Sequence, residues 1–107
     1  MLLFKSEHIH PILSGEKTQT RRLWPNGRRA VPGAVHQCRT RMLDAGSTFA
    51  TVKILRVWQE RLREIDWRGA LAEGYPTRLA YLAAFYRINR RSDRNPTVWV
   101  VEFEREG

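Results

Sequence analysis

The 107-residue sequence has few of the features that mark secreted, metal-binding or membrane-spanning proteins. Its single cysteine, Cys38, cannot form an internal disulfide or a cysteine-based zinc site. No apolar run approaches the ~20 residues that a bilayer span needs. Lys5 and Glu7 interrupt the N-terminal apolar stretch too early for a secretory signal. These absences predict a soluble, cytoplasmic protein that uses neither a membrane anchor nor a metal or other cofactor.

Lysine is scarce as well, although the chain is strongly basic. The net charge is +8, and of the 19 basic residues only Lys5, Lys17 and Lys53 are lysines. Arginine presents a rigid fork that matches phosphate and a flat face that stacks on bases. The excess therefore indicates a polyanionic partner, with an arginine-rich genome or a heat-adapted surface as the alternative explanation.

The arginines occur in pairs, Arg21–Arg22, Arg28–Arg29 and Arg90–Arg91, and Trp24 follows the first pair. Basic residues with an aromatic side chain among them suit single-stranded RNA, whose bases stack while its phosphates are neutralised. The pattern predicts RNA or a nucleotide as partner, with binding residues Arg21, Arg22, Trp24, Arg28 and Arg29.

Turn and capping signals divide the chain into short elements. Alternating or apolar stretches predict strands over 2–5, 34–42, 48–58 and 97–104, and a polar connection over 16–33. Helices are predicted over 6–13, after Asp66 to Gly74, and after Thr77 to Asn89, the last with an inward stripe of Leu79, Leu82, Ala83 and Tyr86. Apolar residues on both faces of the 48–58 strand favour a barrel with a helix outside. The order predicts one α+β domain over residues 1–107, with mostly antiparallel strands.

Reactive groups concentrate in residues 15–22, directly after the first predicted helix. Gly15 lets the chain reverse, and Lys17 and Thr20 converge if the following loop turns inward. A lysine in a partly dry site loses proton affinity and can act as a base for a threonine nucleophile. Glu73 lies in the last turn of a helix, where the macrodipole disfavours a carboxylate unless a cation such as Lys17 faces it.

Four stretches together resemble the ASCH domain family. Residues 4–9 and 12–22 resemble its N-terminal signature, while residues 72–75 and 98–103 resemble its two later characteristic segments, in the same order. The resemblance covers nearly the whole chain. It implies a PUA-like, mostly antiparallel β-barrel with short helices packed on it, related to modules that bind RNA.

Within this superfamily, small bacterial acetylcytidine amidohydrolases use a lysine, a threonine three residues later and a glutamate on a later helix. These positions fall on Lys17, Thr20 and Glu73. By this likeness Lys17 activates Thr20 for attack on an amide carbonyl, and Glu73 handles the leaving-group proton. The chain departs from those enzymes in its strongly basic character and in the loop with Trp24 and Arg28–Arg29, which suggest a longer and more charged ligand than a nucleoside.

The sequence thus predicts RNA or nucleotide binding in a cleft lined by Lys17, Thr20, Arg21, Arg22 and Glu73. One alternative is an amidohydrolase that acts on acylated cytidine through catalytic Lys17, Thr20 and Glu73. Another is a metal-independent ribonuclease in which Lys17 stabilises charge on phosphate. A basic interaction module with an inactive cleft is the fourth possibility. His8 and His10 are two residues apart, which makes a poor metal pair on a helix, so no metal site is predicted.

Overall fold

The computed structural model describes residues 1–90 and 93–107 of the chain. Arg91, the second member of one predicted arginine pair, lies outside these residues. The described elements are the strands β1 (Leu2–Leu3), β2 (Gln19–Arg22), β3 (Val35–Arg39), β4 (Thr48–Arg61) and β5 (Thr97–Arg105), and the helices α1 (Ile9–Ser14), α2 (Trp67–Ala72) and α3 (Arg78–Ile88). Short 3₁₀ turns cover Ser6–His8, Ala45–Ser47 and Leu62–Glu64.

The strands form one curled sheet, half of a barrel, in the order β1–β3–β4–β5–β2. Only β1 and β3 pair in parallel, whereas the other three pairings are antiparallel. This confirms the predicted α+β fold with mostly antiparallel strands. Within the described residues, no helix combines the length and the apolar character that crossing a bilayer requires.

The predicted polar connection over 16–33 contains a strand that the sequence pattern did not indicate. Residues Gln19–Arg22 form β2, which pairs with β5 so that Thr20 lies opposite Val101 and Arg21 opposite Val100. Four polar residues show no hydrophobic alternation, so the strand results from pairing with a buried neighbour rather than from local propensity. Because β2 is at the edge of the sheet, its residues border the space next to the helices.

Helices α2 and α3 begin directly after the residues predicted as their N-caps, Asp66 and Thr77. The Asp66 carboxylate accepts a hydrogen bond from the Gly69 amide at 2.8 Å, and the Thr77 hydroxyl accepts one from the Ala80 amide at 3.0 Å. The predicted inward stripe of α3 is correct for Leu82 and Tyr86 but wrong for Leu79, which is 75% exposed, and for Ala83, which is exposed. Apolar residues surround most of this helix, so their spacing does not single out one face. Packing decides it instead, and the residues it buries are Tyr81, Leu82, Ala84 and Phe85.

The core has two parts that meet at β5. Val101 and Phe103 pack with residues of α1, β1, β3 and β4, whereas Val98 and Val100 pack with α3 and the residues around α2. The strand covered on both faces is therefore β5. The expectation of a two-sided β4 is only partly met, since Ile54 is 1% exposed but the neighbouring Leu55 is 39% exposed. Leu55 lies where the β4–β5 pairing shifts by one residue, as in a β-bulge.

Ile54 and Leu55 allow a direct test of which face of β4 carries the core. Ile54→Ala removes a fully buried side chain and should lower the free energy of unfolding by about 2–5 kcal/mol. Leu55→Ala removes a similar volume from a partly solvated position and should cost less than half as much. Urea denaturation of both variants measures the two values. Equal losses would contradict the one-sided burial of β4.

Candidate functional site

A cavity of about 470 Å³ opens between β1, β2, the segment after β2 and helix α3. Of the residues predicted for the site from the sequence, seven line it: Lys17, Thr20, Arg21, Arg22, Trp24, Arg29 and Glu73. Arg28 does not line the cavity, although its neighbour Arg29 does. The structure therefore brings Glu73 together with residues from positions 17–29, and it places only one arginine of the Arg28–Arg29 pair at the cavity.

Backbone hydrogen bonds fix Lys17 at the base of the cavity. Gly15 ends α1 in the left-handed conformation, with φ of 83°, and reverses the chain. The Lys17 amide then donates to the Pro11 carbonyl at 2.9 Å, and the Thr18 amide donates to the Ala72 carbonyl at 2.7 Å. The segment between α1 and β2 is thus tied to both α1 and the end of α2, which directs the Lys17 side chain inward, where it is 3% exposed.

Glu73 lies between two cations in a buried triad. Lys17 Nζ donates to Glu73 Oε1 at 2.8 Å, and Arg21 Nη1 donates to Glu73 Oε2 at 3.2 Å. Lys17 Nζ also donates to the Glu73 backbone carbonyl at 2.8 Å, so the ammonium satisfies an orphan carbonyl at the end of α2. The cation expected to face Glu73 is therefore present, and a second one joins it.

The three charged side chains of this triad use most of their hydrogen-bonding groups within the protein. Burial lowers the pKa of Lys17 below its ordinary value, although the Glu73 carboxylate opposes that shift. Besides Glu73, the Arg21 guanidinium contacts the Gln19 amide oxygen at 3.1 Å and a Glu60 oxygen at 3.6 Å. Its Nε is buried without a hydrogen-bond partner in the described chain. Arg21 thus acts as an internal counter-charge, although its position in a basic pair suggested phosphate binding.

Thr20 and Arg22 lie on the opposite face of β2 from Arg21, as strand alternation requires. The Thr20 hydroxyl, 5% exposed, accepts a hydrogen bond from Arg22 Nε at 2.9 Å. Arg22 Nη2 donates to the Leu3 carbonyl at 2.7 Å, and the guanidinium lies 4.7 Å from the Phe4 ring centroid. Arg22 is therefore held in a fixed orientation at the cavity wall, and the Thr20 hydroxyl keeps its own proton available for donation.

Aromatic side chains form much of the remaining wall. His8 packs edge-on against Phe4 and Tyr75, with ring centroids 6.3 and 6.1 Å apart. Burial and the nearby charges of Lys17 and Arg22 lower the pKa of His8 to about 4, so the imidazole is neutral at pH 7. Tyr75 contacts Tyr81 in turn, at 5.6 Å. The cavity thus offers flat apolar surfaces beside its charged base.

Sequence reasoning missed several lining residues, among them Lys5, His8, Tyr75 and Tyr81. His8 was considered only as a metal ligand, and its spacing to His10 suits no metal. Tyr81 could not be recognised, since its orientation depends on which face of α3 packs inward. Tyr75 follows Glu73 by two residues and lies in the 72–75 segment that resembles the ASCH family, and these two signals could have identified it.

A second cavity of about 400 Å³ has the opposite electrostatic character. Its lining includes Glu60, Glu64, Asp66 and Glu102, with Arg21 and Arg68 as the only basic residues. The described residues contain no group of three or more His, Cys, Asp and Glu side chains arranged to hold a metal ion. The two cavities share Arg21, but only the first has an excess of positive charge.

Comparison with known proteins identifies the fold. No protein-family model matches the chain, and no curated protein sequence matches it. Its structure is similar to that of a protein of Enterococcus faecalis assigned to the DUF984 family model, with a TM-score of 0.75, 16% identity, and coverage of 94% of this chain and 67% of that chain. It is also similar to an ASCH domain from Lactobacillus crispatus, with a TM-score of 0.69, 16% identity, and coverage of 91% and 69%. The chain therefore has an ASCH-like, PUA-like fold, as the sequence resemblance implied.

The buried triad predicts a large difference between two ion pairs. Lys17→Ala leaves the Glu73 carboxylate buried with one of its two cations and should lower the free energy of unfolding by about 3–5 kcal/mol. Arg56→Ala breaks the Arg56–Glu102 pair, whose arginine is solvent-exposed, and should leave stability nearly unchanged. Chemical denaturation of both variants tests this. A Lys17→Ala variant as stable as the Arg56→Ala variant would show that Glu73 does not depend on Lys17.

Proposed function

We propose that this chain, folded as one ASCH-like domain over residues 1–107, binds RNA or a nucleotide in the 470 Å³ cavity. The observation that carries the proposal is the charge of the lining. Among the described residues, the lining contains five cationic side chains, those of Lys5, Lys17, Arg21, Arg22 and Arg29, and a single carboxylate, Glu73. The ASCH-like fold is consistent with nucleic-acid binding.

The cations differ in what they can offer a ligand. Lys17 and Arg21 are committed to Glu73, whereas Arg22 uses Nε and Nη2 within the protein and leaves Nη1 without a partner among residues 1–90 and 93–107. Lys5 and Arg29 are exposed and have no ion pair with any described residue. These three provide the charge for phosphate. A half-buried Trp24 beside them provides a face on which a base can stack.

The cavity size limits how much of a nucleic acid enters. Ligand pockets of roughly 300–1,000 Å³ enclose molecules of drug or nucleoside size. A strand can therefore insert one nucleotide and must lay the rest on the basic surface outside. Such a mode fits single-stranded RNA, because its bases are free to turn out of a stack.

Binding of a short single-stranded RNA should weaken as salt rises, because phosphate contacts release counterions. Trp24→Ala should raise the Kd about tenfold by removing a stacking surface. Arg29→Ala should reduce the slope of log K against log salt by about 0.7. Arg63→Ala is the matched control, since Arg63 is exposed and does not line the cavity. Fluorescence anisotropy at several salt concentrations gives these values, and salt-independent binding would refute the proposal.

A second candidate function is amide hydrolysis on acylated cytidine, and one arrangement favours it. Lys17, Thr20 and Glu73 all line the same cavity, and burial lowers the pKa of Lys17. A lysine that loses its proton readily can accept the proton of the Thr20 hydroxyl while the oxygen attacks the acyl carbon. Glu73, which contacts Lys17 Nζ at 2.8 Å, passes that proton to the amine as the C–N bond breaks, and water then hydrolyses the acyl ester left on Thr20. The ribonuclease alternative has no such support, because Lys17 already holds the Glu73 carboxylate, which would repel a phosphate.

Hydrolysis is tested with a short RNA that carries one acetylated cytidine, incubated with the protein and read by mass spectrometry. If the second candidate is right, the wild type releases the acetyl group, and Thr20→Val reduces the rate at least about 100-fold, because it removes the hydroxyl without changing the side-chain volume much. Thr20→Ser keeps a hydroxyl and should retain substantial activity. Release that survives both Thr20→Val and Lys17→Ala would exclude these residues from catalysis.

A further inference from the structure

The 470 Å³ cavity changes in character from its base to its rim. Lys17, Thr20 and Glu73 are 3%, 5% and 3% exposed and form the base. Lys5 and Arg29 also line the cavity but are exposed, so they lie at its rim. Arg22, His8 and Trp24 are half-buried and line the wall between base and rim. The one carboxylate is therefore at the buried end, and the two unpaired cations are at the open end.

This distribution disfavours a phosphate at the base. A phosphate there would lose its hydration and would face the Glu73 carboxylate, and the repulsion between like charges is strong where water is excluded. Lys17 and the buried Arg21 leave a net positive charge there, but both already donate to Glu73, so a phosphate would gain few hydrogen bonds in return for its lost hydration. An uncharged polar group meets no such penalty.

The rim of the cavity, in contrast, favours a phosphate group. Neither Lys5 nor Arg29 forms a side-chain hydrogen bond or an ion pair with a described residue, so both cations are free to contact an anion. No Asp or Glu other than Glu73 lines the cavity. A phosphate at the rim also keeps part of its hydration, which makes its binding less costly than at the base.

We propose that Lys5 and Arg29 form a phosphate subsite at the rim of the cavity. A nucleotide then enters with its nucleobase first and its phosphate outermost. The proposal rests on the proposed function and adds to it the orientation of the ligand and a role for Lys5. The same chemistry suits a free nucleoside monophosphate and one nucleotide of an RNA strand.

The test compares four ribonucleosides with their 5′- and 3′-monophosphates and with a short oligoribonucleotide, by calorimetry at low and moderate salt. A monophosphate should bind about threefold to tenfold more tightly than its nucleoside, the range expected for two exposed charge contacts. The Lys5→Ala/Arg29→Ala variant should lose this difference while its affinity for the nucleoside stays the same. Lys53→Ala/Arg63→Ala removes the same charges from exposed positions outside the cavity and should keep the difference.

Several outcomes would overturn the subsite. These are equal affinities for nucleoside and monophosphate, a difference that survives in the Lys5→Ala/Arg29→Ala variant, or binding of the oligoribonucleotide alone. In each of these cases salt-dependent RNA binding would leave the proposed function standing. Failure of every ligand, the oligoribonucleotide included, would instead refute the proposed function. If the subsite holds, an oligoribonucleotide that binds much more tightly than the monophosphate identifies a strand as the ligand, and equal affinities identify a free nucleotide.

Discussion

The candidate site depends on the buried ion triad in which the Glu73 carboxylate is shared by Lys17 and Arg21. Three charges removed from water cost several kcal/mol each unless their hydrogen bonds are satisfied in the interior. The elements around them meet most of that demand, with Arg21 Nε as the exception: the reversal at Gly15 brings in Lys17, the end of α2 brings in Glu73, and the edge strand β2 brings in Arg21. A well-packed apolar cluster could stabilise the fold as well as these charges do. Stability alone therefore does not explain them, whereas the proposed ligand binding gives a use to the polar groups that they place at the bottom of the cavity.

The parts of the fold that local signals determine could be predicted from the sequence. Asp66 and Thr77 indicate where helices begin, because a side-chain oxygen accepts a hydrogen bond from the backbone amide three residues later. This contact is local, so it can be predicted without knowledge of the tertiary structure. Strand β2 could not be predicted, since Gln19 to Arg22 are polar and pair only because β5 offers a free edge. The inward face of α3 was predicted only in part, for a related reason. Apolar residues lie nearly all round that helix, so packing against α2 and β5 selects the buried ones.

For the candidate site, the sequence predicted which residues line the cavity better than it predicted what each of them contacts. Lys17, Thr20 and Glu73 come together as their order in the chain and the family resemblance suggested. Arg21 and Arg22 do not act as a pair, because neighbouring residues on a strand point to opposite faces. Arg22 consequently contacts Thr20 and Phe4, while Arg21 turns to Glu73 and Glu60. Composition counts both as phosphate-binding charge, and only the three-dimensional structure shows that one of them is consumed inside the protein.

The net charge of +8 and the polarity of the cavity act over different distances, and this resolves an apparent conflict in the sequence. The chain is more basic than a small nucleoside needs, yet it carries more buried reactive groups than simple RNA binding needs. A positive field raises the rate at which any polyanion reaches the surface, with little regard to its identity. Inside the cavity, Glu73 makes the buried end unfavourable for a phosphate group, whereas the exposed Lys5 and Arg29 favour a phosphate group at the rim. In the proposed mode, the overall charge attracts the nucleic acid, and the buried groups bonded to one another around Glu73 favour a nucleobase rather than a phosphate next to Lys17 and Thr20.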